Sequence, residues 1–300
     1  MSRSPAGLAE AVAEFTGASA ATPRRLGGGD ASTAYEVPLS DGRSVFVKAA
    51  PADMPGALRA EAASLHWLAE PGAVRVPRVY GDDERWLVTE HVAEVSPTPE
   101  AAEEFGRALA RTHAAGAPAH GCPPPGGPRH AWIGLAPMRD EPAADWPTFY
   151  GTLRVEPYVR RLVDSGTLRT SEAEPITAVC ERLGELPGAD EPPARLHGDL
   201  WSGNVHWGRA PGDAEPHVWV IDPAAHGGHR ETDLAMLRLF GCPHLERVLA
   251  AYEEEWPLAA GWRERVGLHQ LFPLLVHGVL FGRSFAVRAR AAAEETLRLF

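Results

Sequence analysis

The sequence predicts an α+β protein in two lobes: a small N-terminal antiparallel sheet lobe over residues 1–92 and a larger, mainly helical C-terminal lobe over 93–300. Three observations carry that reading. The first ninety residues hold short β-branched and aromatic runs separated by glycine turns. The pattern breaks near 92–97, where Pro97 and Pro99 interrupt it. Beyond that point apolar residues recur at helical spacing over about 100–114, 147–186 and 231 to the end.

The elements follow in order. Leu8, Val12 and Phe15 share one face of a helix over 6–16. "RRLGGGDASTAYEV" reads as strand, glycine turn, strand, and Asp41-Gly42 is a strong hairpin signal. "RSVFVKAA" is the next strand, rich in β-branched and aromatic side chains. Leu58, Ala62, Leu65 and Leu68 mark a helix over 55–69, and "RWLVTEHV" another buried strand. In the second lobe Phe105, Leu109 and Thr112 mark a helix over about 100–114. Residues 116–147 hold eight prolines and five glycines in 32 positions, which rules out long regular elements and predicts an irregular surface segment. Short apolar strands, "RLHGDL", "NVHW" and "HVWVID", lie between the later helices, and no internal repeat is present.

Composition narrows the partners. A chain of 300 residues, 44% hydrophobic and 23% charged, can bury a sizeable core and is ordinary for a soluble globular protein. A net charge of −11 argues against nucleic acid as the main partner. Cys122, Cys180 and Cys242 are too few and too scattered for a disulfide framework, and no CxxC pair suggests zinc. No run approaches 18 apolar residues, so no membrane span is expected. "MSRSPAGLAEAVAEF" lacks the apolar core of a signal peptide. A cytoplasmic protein with reduced thiols is expected, as a monomer or weak dimer.

Two singletons point to the chemistry. Lys48 is the only lysine among 29 basic side chains, and Asn204 is the only asparagine. Asn204 lies in "LHGDLWSGNVHW", where His197, Asp199 and Asn204 have the H-x-D-x-x-x-x-N spacing of a kinase catalytic loop. Asp199 is the candidate that orients an attacking hydroxyl and takes its proton. Asn204 offers a neutral oxygen to Mg²⁺ without adding negative charge beside phosphates. Asp222, at the end of the strand in "VWVIDP", is the second candidate metal ligand. His197 reads as holding the loop by hydrogen bonds. Upstream, the backbone of Gly27, Gly28 and Gly29 can approach phosphates closely. Lys48 lies on a strand nineteen residues after Gly29, and Glu61 on the next helix can pair with it. A compact ammonium on a long stem suits that place better than the planar fork of arginine. Two hard oxygen ligands beside phosphates suit Mg²⁺.

This order resembles that of the aminoglycoside phosphotransferase-like kinases. More narrowly, "HGDLWSGN", "DPA", "GHRETDLAMLRLFG" and "DWPTFYGTLRVEP" resemble the fructosamine kinase, or ketosamine-3-kinase, family over nearly the whole chain. The resemblance implies a bilobal protein-kinase-like fold and ATP and Mg²⁺ as cofactors. It implies phosphorylation of the sugar 3-hydroxyl of a ketosamine, of fructosamine or ribulosamine type, free or on a protein amine. The product then breaks down and releases the amine, a deglycation repair activity. By position, Glu90 and Val92 would meet adenine through backbone groups, and Trp201 would be an apolar wall for the sugar. His229, Arg230, Glu231 and Asp233 resemble a buried polar network bracing the catalytic loop, and Arg154 reads as either an anchor or a substrate contact. The chain departs from the family pattern at Ala31 and Ser32, where relatives commonly carry Ile and Asn, and at His226 and Gly227, where a tyrosine pair is usual. An aminoglycoside, choline or other hydroxyl acceptor is the alternative. A catalytically silent scaffold fits less well, because pseudokinases usually lose the lysine, the catalytic aspartate or the metal aspartate, and this chain has all three.

Overall fold

The structure is a computed structural model of the chain and describes residues 6–27, 32–185 and 190–299. The N-terminal lobe runs α1 (Leu8–Thr16), β1 (Arg24–Leu26), β2 (Ala34–Pro38), β3 (Ser44–Ala49), α2 (Ala57–Ala69), β4 (Val79–Asp82) and β5 (Trp86–Glu90). Its strands form one antiparallel sheet in the order β1-β2-β3-β5-β4. Side chains alternate across β3. Val45 and Val47 join Leu8, Val12 and Val88 in a core under α1. Lys48 points the other way, and its cross-strand partner Leu87 packs with Leu58 and Ala62 of α2.

The C-terminal lobe runs β6 (Ala93–Glu94), α3 (Pro99–Ala114), β7 (His130–Ile133), β8 (Ala136–Arg139), α4 (Trp146–Phe149), α5 (Glu156–Asp164), α6 (Thr170–Arg182), β9 (Ala194–Leu196), β10 (Val205–Arg209), β11 (His217–Val220), β12 (His226–Gly228), α7 (Glu231–Phe240), α8 (Leu245–Glu255), α9 (Trp262–Phe281) and α10 (Arg283–Thr296). The two prolines that break the pattern flank the N-cap of α3: Pro97 precedes Thr98, Pro99 occupies the first turn, and the Thr98 hydroxyl accepts from the Ala101 amide at 3.2 Å. β6 does not belong to the first sheet. It pairs with β10, Gly208 facing Glu94, in a three-stranded sheet with β11. α2 is shared: Trp67 and Leu68 pack with Phe105, Leu109, Val248 and Tyr252 in the core of the second lobe. Among the described residues no helix is long and apolar enough to cross a membrane.

The irregular surface segment expected over 116–147 needs correcting. β7 and β8 form a hairpin within it, His130 facing Arg139 and Ile133 facing Ala136. Cys122, Ala131, Ile133, Ala136 and Met138 are buried. Pro137 fits because a two-stranded ribbon has open edges. Arg154, in the π-helical stretch Tyr150–Val155, holds this hairpin to the helices. It is only 1% exposed, pairs with Asp140, donates to the Arg139 carbonyl at 2.7 Å and lies over the Phe149 ring. That burial makes it an anchor, and the substrate-contact alternative drops out.

Candidate active site

The cleft between the lobes is organised around one ammonium group. Lys48 Nζ donates to Glu61 Oε1 at 2.7 Å, to Glu61 Oε2 at 2.8 Å and to Asp222 Oδ1 at 2.7 Å. β3 supplies the lysine, α2 the glutamate and the turn after β11 the aspartate. Burial alone would lower the Lys48 ammonium, but Glu61 and Asp222 outweigh it and hold it above the ordinary lysine value. Burial raises Glu61 above the usual carboxylate range despite Lys48, and Asp222 adds to the rise. The Lys48 side chain is 8% exposed, whereas that of Asp222 is 49% exposed and opens to the cleft. Asp222 also has a left-handed backbone, φ 52°, a region that Asp tolerates better than most residues with a Cβ.

The catalytic-loop residues meet Asp222 from the other side. Asn204 Nδ2 donates to the Asp199 carbonyl at 2.8 Å, to Asp199 Oδ2 at 3.1 Å and towards the Asp222 carbonyl at 3.5 Å. All three partners are acceptors, so the amide nitrogen must face them and the amide oxygen is turned away. Burial and the charge of Asp222 raise the Asp199 carboxyl to about 7, against the hydrogen bond from Asn204. His197 stays neutral, because burial lowers it. Its Nδ1 accepts from the Asp199 amide at 3.2 Å, so its Nε2 carries the proton and donates to the Ile221 carbonyl at 3.0 Å. Gly198 between them has φ 84°, and a Cβ there would lie 2.0 Å from the Ala224 carbonyl oxygen.

The loop is braced from beneath by Asp233 on α7. Asp233 Oδ2 accepts from the His197 amide at 2.7 Å and Oδ1 from the Gly198 amide at 3.0 Å. His113 Nε2 donates to the same carboxylate at 3.2 Å, and Tyr252 Oη bonds His113 Nδ1 at 2.8 Å. Of the four residues read as bracing the loop, Asp233 grips it directly through both carboxylate oxygens. Arg230 ties α7 to Glu191 and to the Trp256 and Pro257 carbonyls, and Glu231 pairs with Arg265 of α9. His113 went unread in the sequence, and its only signal is a polar residue on the apolar face of α3. Ser64 also went unread. From α2 its hydroxyl accepts from the Ala225 amide at 3.3 Å, fixing the chain just after Asp222.

The other expected residues lie at the rim. Glu90 ends β5, and its amide donates to the Arg78 carbonyl at 2.8 Å. The Val92 carbonyl accepts from His206 Nε2 at 3.0 Å. A base meeting this strand would therefore use the Glu90 carbonyl and the Val92 amide, or displace His206. Trp201 is 39% exposed, and its indole lies over Gly203, where a Cβ would sit 2.2 Å from the ring. Gly27 is exposed at the end of β1, whereas Gly28, Gly29 and Ala31 fall outside the described residues.

The architecture is shared with solved small-molecule kinases. The aminoglycoside phosphotransferase APH(2″)-IIa, solved with gentamicin, covers 99% of this chain and 99% of its own with a TM-score of 0.65. Its 15% identity makes that a likeness of fold alone. That likeness defines a class of fold, the bilobal protein-kinase-like type, with the Lys48–Glu61–Asp222 cluster joining residues of both lobes. Within that class the fructosamine kinase family model matches residues 7–299. A Thermobifida fusca protein of known crystal structure, named a putative fructosamine-3-kinase, is 46% identical, with a TM-score of 0.89 over 97% of this chain and 98% of its own. A Thermus thermophilus protein named a probable ketoamine kinase is 34% identical over 87% of this chain and 88% of its own. The protein-ribulosamine 3-kinase of Arabidopsis thaliana is 28% identical over 87% of this chain and 78% of its own. The chain belongs to the fructosamine kinase family.

Proposed function

We propose that this enzyme transfers the γ-phosphoryl group of ATP to the sugar 3-hydroxyl of a ketosamine, of fructosamine or ribulosamine type. The observation that carries the reading is the Lys48 ammonium bonded at once to Glu61 and Asp222, with Asp199 and Asn204 at the same centre. In this reading Lys48 neutralises the α- and β-phosphates, Glu61 holds it in place, and Gly27, Gly28 and Gly29 are the candidates for backbone contact with the phosphates. Glu90 and Val92 meet the adenine. The outward oxygen of Asn204 and the half-exposed carboxylate of Asp222 are the hard donors that suit Mg²⁺. A bound Mg²⁺ would supply charge neutralisation at the phosphates.

Asp199 takes the acceptor proton. The hydroxyl oxygen forms a bond to the γ-phosphorus, the bond from that phosphorus to the bridging oxygen breaks, and ADP leaves with the electron pair. A value of about 7 places Asp199 where a base both accepts a proton and exists deprotonated at neutral pH. Trp201 is the apolar wall of the sugar site. The relatives named for ketoamine and ribulosamine support the acceptor class. Breakdown of the 3-phosphate would free the amine, so the reading includes a deglycation role, free or on a protein, for a cytoplasmic monomer or weak dimer.

The test is phosphorylation of a panel of fructosamines and ribulosamines by the purified protein with ATP and Mg²⁺, the product read by phosphorus NMR. A 3-phosphate is expected. Turnover of aminoglycosides or choline with none of the panel would overturn the acceptor class.

A further inference from the structure

The sugar wall at Trp201 is the inner end of a row of aromatic rings that runs from the catalytic loop onto the surface. The Trp201 ring meets Phe240 edge-on with centroids 6.0 Å apart. Phe240 is 4.8 Å from His277 and 6.3 Å from Phe285. Phe281 lies 5.5 Å from His277 and 6.1 Å from Phe285. Four elements contribute: the catalytic loop, the last residue of α7, the last turn of α9 and the first turn of α10. His277 and Phe281 are four apart on α9 and so share a face.

Packing between helix ends explains the inner rings but not the outer one. Phe281 is 54% exposed although α10 begins two residues later, and Trp201 is 39% exposed. They are the two aromatic side chains among the exposed large hydrophobics of the described residues, and both belong to this row. Connected apolar surface of this kind marks binding sites, and here it is continuous with the catalytic loop. Its charge selects the occupant. His277 Nδ1 donates to the Pro273 carbonyl at 2.7 Å, and burial lowers its pKa, so a neutral ring lines the row. The Arg288 guanidinium already lies over Phe285, 5.6 Å from its centroid. A second cation there would be repelled, whereas an uncharged apolar group would not.

Resting on the ketosamine reading above, we propose that Trp201, Phe240, Phe281 and Phe285 extend the acceptor site and hold an apolar or aromatic substituent on the ketosamine nitrogen. Phe281 supplies the outermost contact, and its exposure means that truncation leaves the fold intact.

The experiment measures kcat/KM for fructosamines and ribulosamines carrying methyl, butyl or benzyl on nitrogen. The wild-type enzyme is expected to prefer benzyl over methyl. Phe281→Ala should lower the benzyl-to-methyl ratio about 3–10-fold, mainly through KM, in line with the loss of one aromatic contact. Phe281→Trp should restore it. Val287→Ala, two residues from Phe285 and so on another face of α10, should leave the ratio unchanged. If the wild type turns over none of the series, the acceptor class falls and this inference with it. If the wild type turns them over and Phe281→Ala leaves the ratio unchanged, this inference alone falls. It also falls if Phe281→Ala keeps the ratio but lowers the sedimenting mass, because a second copy of the chain would then be the occupant.

Discussion

Asp199 belongs to the short loop that Asp233 braces, and their surroundings drive the two carboxyls in opposite directions. Asp233 is fully buried, yet the ring of His113 and then His197, whose amide it accepts from, outweigh burial and keep its carboxyl below the ordinary value. Asp199 accepts from Asn204 and faces the charge of Asp222, so burial wins and the carboxyl rises to about 7. The difference lies in the donors supplied, not in depth. A carboxylate given enough N–H groups is spent on structure. One left short of donors keeps its affinity for a proton, which a general base needs.

That contrast can be broken most directly at Asp199. Asp199→Asn should lower kcat by about 10²–10⁴ while ATP binding, read by calorimetry, persists. A wild-type rate would remove the distinction between the two aspartates. Asp233→Ala should act on stability instead. It leaves His113 and two buried amides without their acceptor, at a cost of about 3–5 kcal/mol. Denaturant titration reads that loss, and a change below about 1 kcal/mol would mean the brace is dispensable.

The pH profile sharpens the comparison further. Only deprotonated Asp199 can accept a proton, so kcat/KM should rise about tenfold per pH unit below about 7 and level off above it. A profile flat from pH 5 to 8 would contradict the assignment. The smallest effect is on melting. The folded value of Asp199 lies above its ordinary 3.8, so folding gains from its protonation. That gain is complete below about pH 4 and is lost as pH rises through about 7. Asp199→Asn escapes the loss, so at pH 8 it should melt about 2–4 °C above wild type, with the gap narrowing at pH 5. An equal or lower melting point at pH 8 would show that Asp199 is not strained as a carboxylate.

What could be read from the chain divides by distance along it. Lys48, Glu61, Asp199, Asn204 and Asp222 were legible because local spacing places them: a strand lysine, a glutamate on the next helix, an aspartate and an asparagine five apart, and an aspartate ending a strand. His113 and Ser64 act on Asp233 and Ala225, 120 and 161 positions away along the chain, through one hydrogen bond each, and no periodicity announces such a contact. The left-handed turn at Asp222 was hidden because Asp-Pro-Ala carries no glycine to mark it. The hairpin at 130–139 was hidden by composition: prolines outnumbered the short alternating run that folds against Phe149 and Arg154. The aromatic row was scattered over four segments and became one surface only in three dimensions.

β10 has a mechanical consequence of its own. It starts beside Asn204, and its far end pairs with Ala93 and Glu94, where the chain passes from one lobe to the other. Five residues of extended chain, about 17 Å, therefore act as a stiff rod with the Asn204 amide at one tip and the interlobe joint at the other. A tilt of the upper lobe pulls on that rod, so opening of the nucleotide cleft and the attitude of Asn204 are geared together.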